Sequence, residues 1–337
     1  MRAALIESCA RPPVVADRPA PEPGPGWAAV RVTAAPITPL DLLCAGGTSY
    51  FGVPALPYVP GVQGVGTVGG RLVWFPTSAG MAPGDGSMAE VALARSEDLV
   101  ELPAGADPYA VAALGLSAVA AYMALTWRGE LRAGEQVLVL GAGGVVGQAA
   151  VQLARLAGAR RVIAAARSAA ALERARQAGA DAVVPLDPSE IARHRPGTAA
   201  ERGTDTAAEV AELAARLSAA CDGPVDLVLD PLYGLPAAAA ARTLGEGGRL
   251  VNLGSSASET CPLDSATLRS RSLRILGYTN ASITAEQRTA AIAYIAEQST
   301  AGRLAVAYEV IPLDQVAEAW HRQAEGTAKG RIILRTT

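Results

Sequence analysis

Gln136-Val-Leu-Val-Leu-Gly141-Ala-Gly143-Gly144-Val145-Val146-Gly147 is the stretch whose reading decides the fold. Gln136–Leu140 is a short β-branched and leucine run, which predicts a strand. The glycines predict a tight turn, and the pattern that follows predicts a helix to about Ala157. Glycines let a backbone approach a pyrophosphate closely. The helix start then offers free N–H groups and a partial positive charge. The spacing is not the six-residue G-x-G-x-x-G, yet a strand before it and a helix after it make it a dinucleotide-binding signal. A turn that only packs a helix on a sheet is the blander reading. We expect Gly141, Gly143, Gly144, Val145, Val146 and Gly147 to hold a cofactor's phosphates.

Toward the C-terminus, Arg161–Ala165 predicts a second strand, Leu172–Gln177 a helix closed by Gly179, and Ala182–Val184 a third strand. The alternation resumes at Val225–Asp230, Pro236–Leu244 and Arg249–Leu253, with Arg274–Leu276 as a last parallel strand. This is the βαβ grammar of a doubly wound parallel sheet. The second strand ends in Ala166-Arg167-Ser168. An acid near this point would bind a ribose 2′-hydroxyl. A guanidinium and a hydroxyl suit a 2′-phosphate instead, which predicts NADPH over NADH. Arg167 as an exposed helix-start residue is the alternative. The polar stretch from Asp187 to Thr206 has no clear period and reads as an exposed insertion that includes His194.

Toward the N-terminus the grammar differs. Ala3–Ile6 and Ala28–Thr33 read as strands, residues 36–66 as loop-like. Gly64–Val68 and Arg71–Phe75 read as paired strands turning at Gly69-Gly70. Gly84–Ala94 and Leu99–Leu102 extend the pattern, so the region to about residue 105 is β-rich. A helical stretch then runs from Pro108 to about Trp127. Tyr109–Trp127 is uncharged but rich in Ala, Gly and Ser, which favours a buried helix over a membrane span. A helix from Thr284 to about Thr300, Ala305–Ile311, a helix over Leu313–Gln323, and Arg331–Leu334 complete the reading.

Composition narrows the function. At roughly 150 residues per domain, 337 residues predict two domains. A net charge of −3 without a long basic tract argues against nucleic acid. The N-terminus lacks an apolar h-region, which predicts no signal peptide and a cytoplasmic protein. Cys9, Cys44, Cys221 and Cys261 form no CxxC, so we expect no disulfide framework. With only His194 and His321 as histidines, no zinc set is expected.

Taken together, the motifs resemble the medium-chain dehydrogenase/reductase superfamily, in its zinc-free quinone oxidoreductase branch. The resemblance covers nearly the whole chain. Ala35-Pro-Ile-Thr-Pro-Leu-Asp41 is similar to the family's A-x-N-P-x-D, and Pro57-Tyr-Val-Pro-Gly-Val-Gln-Gly-Val-Gly66 to its P-x-x-P-G-x-E-x-x-G. Asp226–Gly234 and Gly247–Gly254 resemble its fourth- and fifth-strand signatures. Gly277-Tyr-Thr-Asn280 resembles a segment that borders the nicotinamide. The resemblance implies an α/β fold: a Rossmann doubly wound parallel sheet over residues 116–280, and a β-rich GroES-like catalytic domain from residues 1–115 and 281–337. It also implies a small-molecule substrate, a homodimer through the Rossmann sheet edge, and a cofactor cleft to which Tyr233, Leu253, Gly254, Ser255, Thr279 and Asn280 contribute.

Zinc-dependent relatives carry a Cys where this chain has Thr38, and His-Glu where it has Val62-Gln63. The resemblance therefore implies zinc-independent hydride transfer from NADPH to an activated C=C (enone or enoyl) or a quinone. A secondary-metabolite ketone or enoyl reductase and a non-catalytic NADPH-binding protein are alternatives. Leu43 and Ala120 stand where many relatives have Tyr and Thr, and Ala171 where a Lys often reinforces the 2′-phosphate site. Tyr50, in the Gly46–Gly52 loop, is the remaining candidate proton donor besides solvent.

Overall fold

The computed structural model describes residues 1–191 and 206–336, and these divide into two compact units, Met1–Leu116 with Thr284–Thr337 and Ser117–Ile283. The first unit opens with β1 (Arg2–Leu5) and β2 (Val14–Asp17), an antiparallel pair. Next come β3 (Trp27–Pro36), α1 (Pro39–Ala45), β4 (Gln63–Val68), β5 (Arg71–Pro76), β6 (Val91–Arg95) and β7 (Val100–Glu101). Then α2 (Pro108–Met123) crosses the boundary between the units and continues into a π-helical turn at Ala124–Arg128.

Three expectations need correction here. The loop-like reading of 36–66 missed α1. Thr38 caps that helix, Pro39 opens it, and Asp41 answers with the reciprocal bond of a capping box. The strand expected from Gly84 begins only at Val91. The helix expected to run unbroken to Trp127 is interrupted at Gly115 (φ 33°, ψ −137°), a backbone that only glycine takes easily. A methyl there would collide with Gln63 Oε1, the oxygen that accepts the Leu116 N–H at 2.8 Å.

The second unit holds β8 (Gln136–Val139), α3 (Val145–Leu156), β9 (Arg161–Ala166), α4 (Ala169–Gln177), β10 (Ala182–Pro185), α5 (Thr206–Ala219), β11 (Val225–Asp230), α6 (Gly234–Ala241), β12 (Leu244–Asn252), α7 (Ser265–Ser270) and β13 (Arg274–Gly277). Its six strands are all parallel, in the order β10-β9-β8-β11-β12-β13. This is the doubly wound Rossmann order, whose direction reverses between β8 and β11. Helix α5 begins where the expected insertion ends, and Val210, Leu213, Ala214 and Leu217 bury one face of it. Residues 192–205, His194 among them, lie outside the described residues.

The chain then returns to the first unit through α8 (Ala285–Thr300), β14 (Tyr308–Pro312), α9 (Val316–Glu325) and β15 (Arg331–Arg335). Strand β15 inserts between β14 and β3, giving the order β14-β15-β3-β4-β5-β7, with β6 also on β3. This mixed sheet is the GroES-like part of the fold. Its core gathers Ile6, Val30, Val32, Ile37, Phe75 and Met88 with Ile332 and Leu334 from the far end of the chain. By length and composition Pro108–Arg128 is apolar enough to cross a membrane, but 61% of its most apolar window is buried in the protein, as a core helix requires.

Candidate dinucleotide site at the carboxyl end of the parallel sheet

Helices need partners for their first N–H groups. Side chains supply them at α1 (Thr38), α4 (Ser168), α7 (Asp264) and α8 (Thr284). No side chain caps α3, which starts from Gly144, or α6, which starts from Tyr233. These two helices follow β8 and β11, the adjacent strands between which the winding reverses. Two uncapped N-termini therefore flank the crevice where doubly wound folds bind ligands.

The glycine loop shows why its residues are small. Gly141 adopts φ 61°, and a methyl on it would press on Pro231 Cγ at 3.0 Å. On Gly147 a methyl would sit 2.5 Å from both Ala142 Cα and Gly141 O, so this glycine lets α3 lie against the loop. Gly144 differs: a methyl there would meet only Gly141 O, at 3.6 Å. Its openness is not needed by the protein's own packing. A loop open on that side, in front of an uncapped 12-residue helix, fits a pyrophosphate. Val145 and Val146 form the first turn of that helix.

Arg167 and Ser168 connect β9 to α4 beside this loop. The Ala142 N–H bonds Ala165 O at 2.9 Å, and a methyl on Gly143 would meet Ala171 Cβ at 2.8 Å. Ser168 Oγ accepts the Ala171 N–H at 3.2 Å and keeps its own proton to donate. The Arg167 side chain is exposed, and no hydrogen bond or ion pair holds it among the described residues. Ala171 is buried against the loop, so no long side chain reaches out from that position.

Beyond β11 a polar node orders the other side of the crevice. Buried Asp230 accepts the N–H groups of Leu232 (2.9 Å) and Tyr233 (2.8 Å) and the Asn252 amide (3.0 Å). Burial pushes its carboxyl above the usual range, against the opposing pull of those three donors. Asn252 also donates to Gly254 O at 2.8 Å, and Leu253 N–H bonds Asp230 O at 2.9 Å. Gly254 must stay small, because a methyl would sit 2.9 Å from Pro231 O. The Ser255 hydroxyl is taken by Glu259 at 2.5 Å. Past β13, Tyr278 donates to Asn280 Oδ1 at 2.7 Å, and Thr279 Oγ1 accepts from Ala281 N–H. Gly141–Gly147, Arg167, Ser168, Tyr233, Leu253, Gly254, Ser255, Thr279 and Asn280 thus all follow carboxyl ends of this one sheet. Sequence reading missed Asn252 and the holding role of Asp230. Their signal was slight: one polar residue closing each of two apolar strands.

In the first unit the positions of zinc ligands in other dehydrogenases are engaged internally. Thr38 Oγ1 donates to Asp41 Oδ2 at 2.6 Å, and Val62 N–H to Asp41 Oδ1 at 3.0 Å. Gln63 Oε1 accepts from Trp74 Nε1 at 3.0 Å. No three or more His, Cys, Asp or Glu side chains gather as a metal site among the described residues. His321 lies exposed on α9, 3.7 Å from Glu325. Tyr50 is 76% exposed, its ring centroid 4.4 Å from that of Phe51. Leu43 is exposed on α1, and Ala120 is buried on α2. Cys44 is buried and its thiol is pushed up by that burial, as befits a packing residue.

Comparison with known proteins follows the same lines. Residues 145–297 match the profile of a family described as zinc-binding dehydrogenase. A quinone oxidoreductase of Lama guanicoe is 29% identical over 99% of this chain and 97% of its own length. One from Pongo abelii is 36% identical over a shorter alignment, which spans 47% of this chain and half of that protein. Among solved structures, the quinone oxidoreductase of Thermus thermophilus, determined alone and with NADPH, superposes with a TM-score of 0.79. That pair is 28% identical over 99% of this chain and all of the other.

Proposed function

The chain belongs to the medium-chain dehydrogenase/reductase superfamily and is quinone oxidoreductase-like, and from that premise we propose that it is a zinc-independent, NADPH-dependent reductase of quinones or activated C=C bonds. The observation that carries this reading is the uncapped N-terminus of α3 behind the open face of Gly144, with the exposed guanidinium of Arg167, unpaired among the described residues, beside it. The helix start takes the pyrophosphate. Arg167, with the Ser168 hydroxyl, takes the 2′-phosphate through charge-assisted hydrogen bonds. Leu253, Gly254 and Ser255 after β12, and Thr279 and Asn280 after β13, line the far half of the crevice. When bound, NADPH would supply the hydride.

Zinc independence rests on the donor set. Thr38, Val62 and Gln63 offer neither thiolate nor imidazole, and Asp41 already accepts four hydrogen bonds, from Thr38 N and Oγ1, Gly61 N and Val62 N. Without a Lewis acid the protein holds donor and acceptor in register and keeps water away. The proton comes from Tyr50 or from solvent. Titration with NADPH and with NADH, followed by nicotinamide fluorescence, tests the cofactor assignment. NADPH preference is expected, and binding of neither would overturn it. A panel of quinones, enones and enoyl compounds then tests turnover. NADPH binding with no hydride transfer to any of them would favour the non-catalytic reading, which the hydroxyl-free Leu43 and Ala120 allow.

A further inference from the structure

Tyr233 sits where a tyrosine should not. Its φ is 60° and its ψ −162°, a backbone region occupied almost only by glycine. For a bulky side chain this is a true outlier, and such strain persists only where the surroundings over-determine it. Here they do. The Asp230 carboxylate takes the N–H groups of Leu232 and Tyr233 and is itself held by Asn252. The next residue, Gly234, also has a positive φ of 65°. A methyl on it would press on Ser258 Cβ at 2.8 Å, so the turn is clamped from both sides. A glycine at 233 would satisfy every one of these hydrogen bonds without strain. The turn's hydrogen bonds therefore do not call for a side chain here; the ring packs in part against the core of the second unit and leaves the rest of its surface open.

Strand order says what lies there. The order β10-β9-β8-β11-β12-β13 puts Arg167 at the end of β9 and the glycine loop at the end of the next strand, β8. A dinucleotide with its 2′-phosphate at Arg167 and its pyrophosphate at the start of α3 must continue over β11 and β12. The turn after β11 is Asp230–Gly234, and a methyl on Gly141 would press on its Pro231 at 3.0 Å. We propose that the half-buried ring of Tyr233 contacts the nicotinamide half of bound NADPH, and that Asp230 is the positioning residue that holds it there. This rests on the NADPH reading and deepens it.

The test uses the full chain, with Tyr233→Gly, Tyr233→Phe and Asp230→Asn variants and two probes. NADPH spans the whole site, whereas 2′,5′-ADP occupies only the Arg167 and glycine-loop half. Tyr233→Gly releases the strain and gives up the ring's packing on the core, so its melt is read only to confirm that it folds. Its NADPH dissociation constant should rise by about tenfold, the worth of one aromatic contact to a base. Its 2′,5′-ADP affinity should not change, and Tyr233→Phe should bind both like wild type. Asp230→Asn should lose NADPH affinity in the wild-type background and lose no more when combined with Tyr233→Gly. Unchanged NADPH binding by Tyr233→Gly overturns the proposal. So does a loss of 2′,5′-ADP affinity in step with NADPH. Failure of the wild-type chain to bind either probe overturns the NADPH reading itself, and the proposal with it.

Discussion

A methyl group on Gly144 would meet only a carbonyl oxygen at 3.6 Å, whereas one on Gly147 would collide with backbone at 2.5 Å. On the proposed reading, the two glycines separate ligand space from packing space. Gly144→Ala should fold with a loss of about 1 kcal/mol or less, yet bind NADPH at least about tenfold more weakly. Gly147→Ala should lose about 1–3 kcal/mol by overpacking. Thermal melts with and without NADPH distinguish them. Arg167→Ala should weaken NADPH by about 10- to 100-fold, the worth of hydrogen bonds to a charged group, and leave NADH affinity unchanged, as paired titrations would read. Tyr50→Phe should lower turnover with a quinone if its phenol is the proton source, and steady-state kinetics decides this. At this scale the glycine spacing was legible because it is a steric rule written in residue identity. The strain at Tyr233 was not, since a dihedral angle has no letter in the sequence.

Among the elements, strands and helices of the second unit were legible wherever apolar runs alternated with helical periods. Helix α1 was missed although its signal, Thr38-Pro39-x-Asp41, stood in plain view; its seven residues are too few for a period to emerge. The pair Glu135–Arg249 could not be read at all, because its partners are 114 positions apart. Arg249 grips Glu135 at 2.9 and 2.6 Å and also donates to Gly129 O at 2.8 Å, which ties the entry of β8 to β12. Burial alone would raise the Glu135 carboxyl. The Arg249 hydrogen bonds and the Arg132 N–H outweigh it, and the net shift is downward. A carboxyl depressed in the folded state stabilises above its ordinary range, and that contribution is lost as pH falls through the folded value. Glu135→Gln should therefore cost about 2 kcal/mol at pH 7, with the difference from wild type shrinking below about pH 4. Urea denaturation at pH 7 and at pH 3.5 measures both.

Across the whole molecule, the fold class followed from the order of the motifs, but the closure of the first unit did not. Arg331, fully buried, donates to Ile37 O at 2.9 Å, and its charge acts on the buried carboxylate of Asp41. Thr336 Oγ1 donates to Val32 O at 2.6 Å. Burial lowers the Arg331 guanidinium to about 10, so it is still a cation at neutral pH. Arg331→Met would leave the Ile37 carbonyl and the Asp41 charge without it. A loss of about 3 kcal/mol is expected, read as a lower urea midpoint for the first unit.

The same insertion of β15 beside β3 has a consequence for how the chain is made. Arg331 and Ile37 are 294 positions apart. At ~5–20 residues per second a ribosome needs roughly 15 to 60 s to cover that distance. Throughout that interval one edge of β3 waits without its partner, an open template for wrong pairing. The second unit draws no strand from beyond Gly277, so its sheet can close while the first is still incomplete. Stalled nascent chains ending near residue 320 should thus yield a protease-resistant core from the second unit alone. Of the two units, the one whose strands come first is the one whose sheet is completed last.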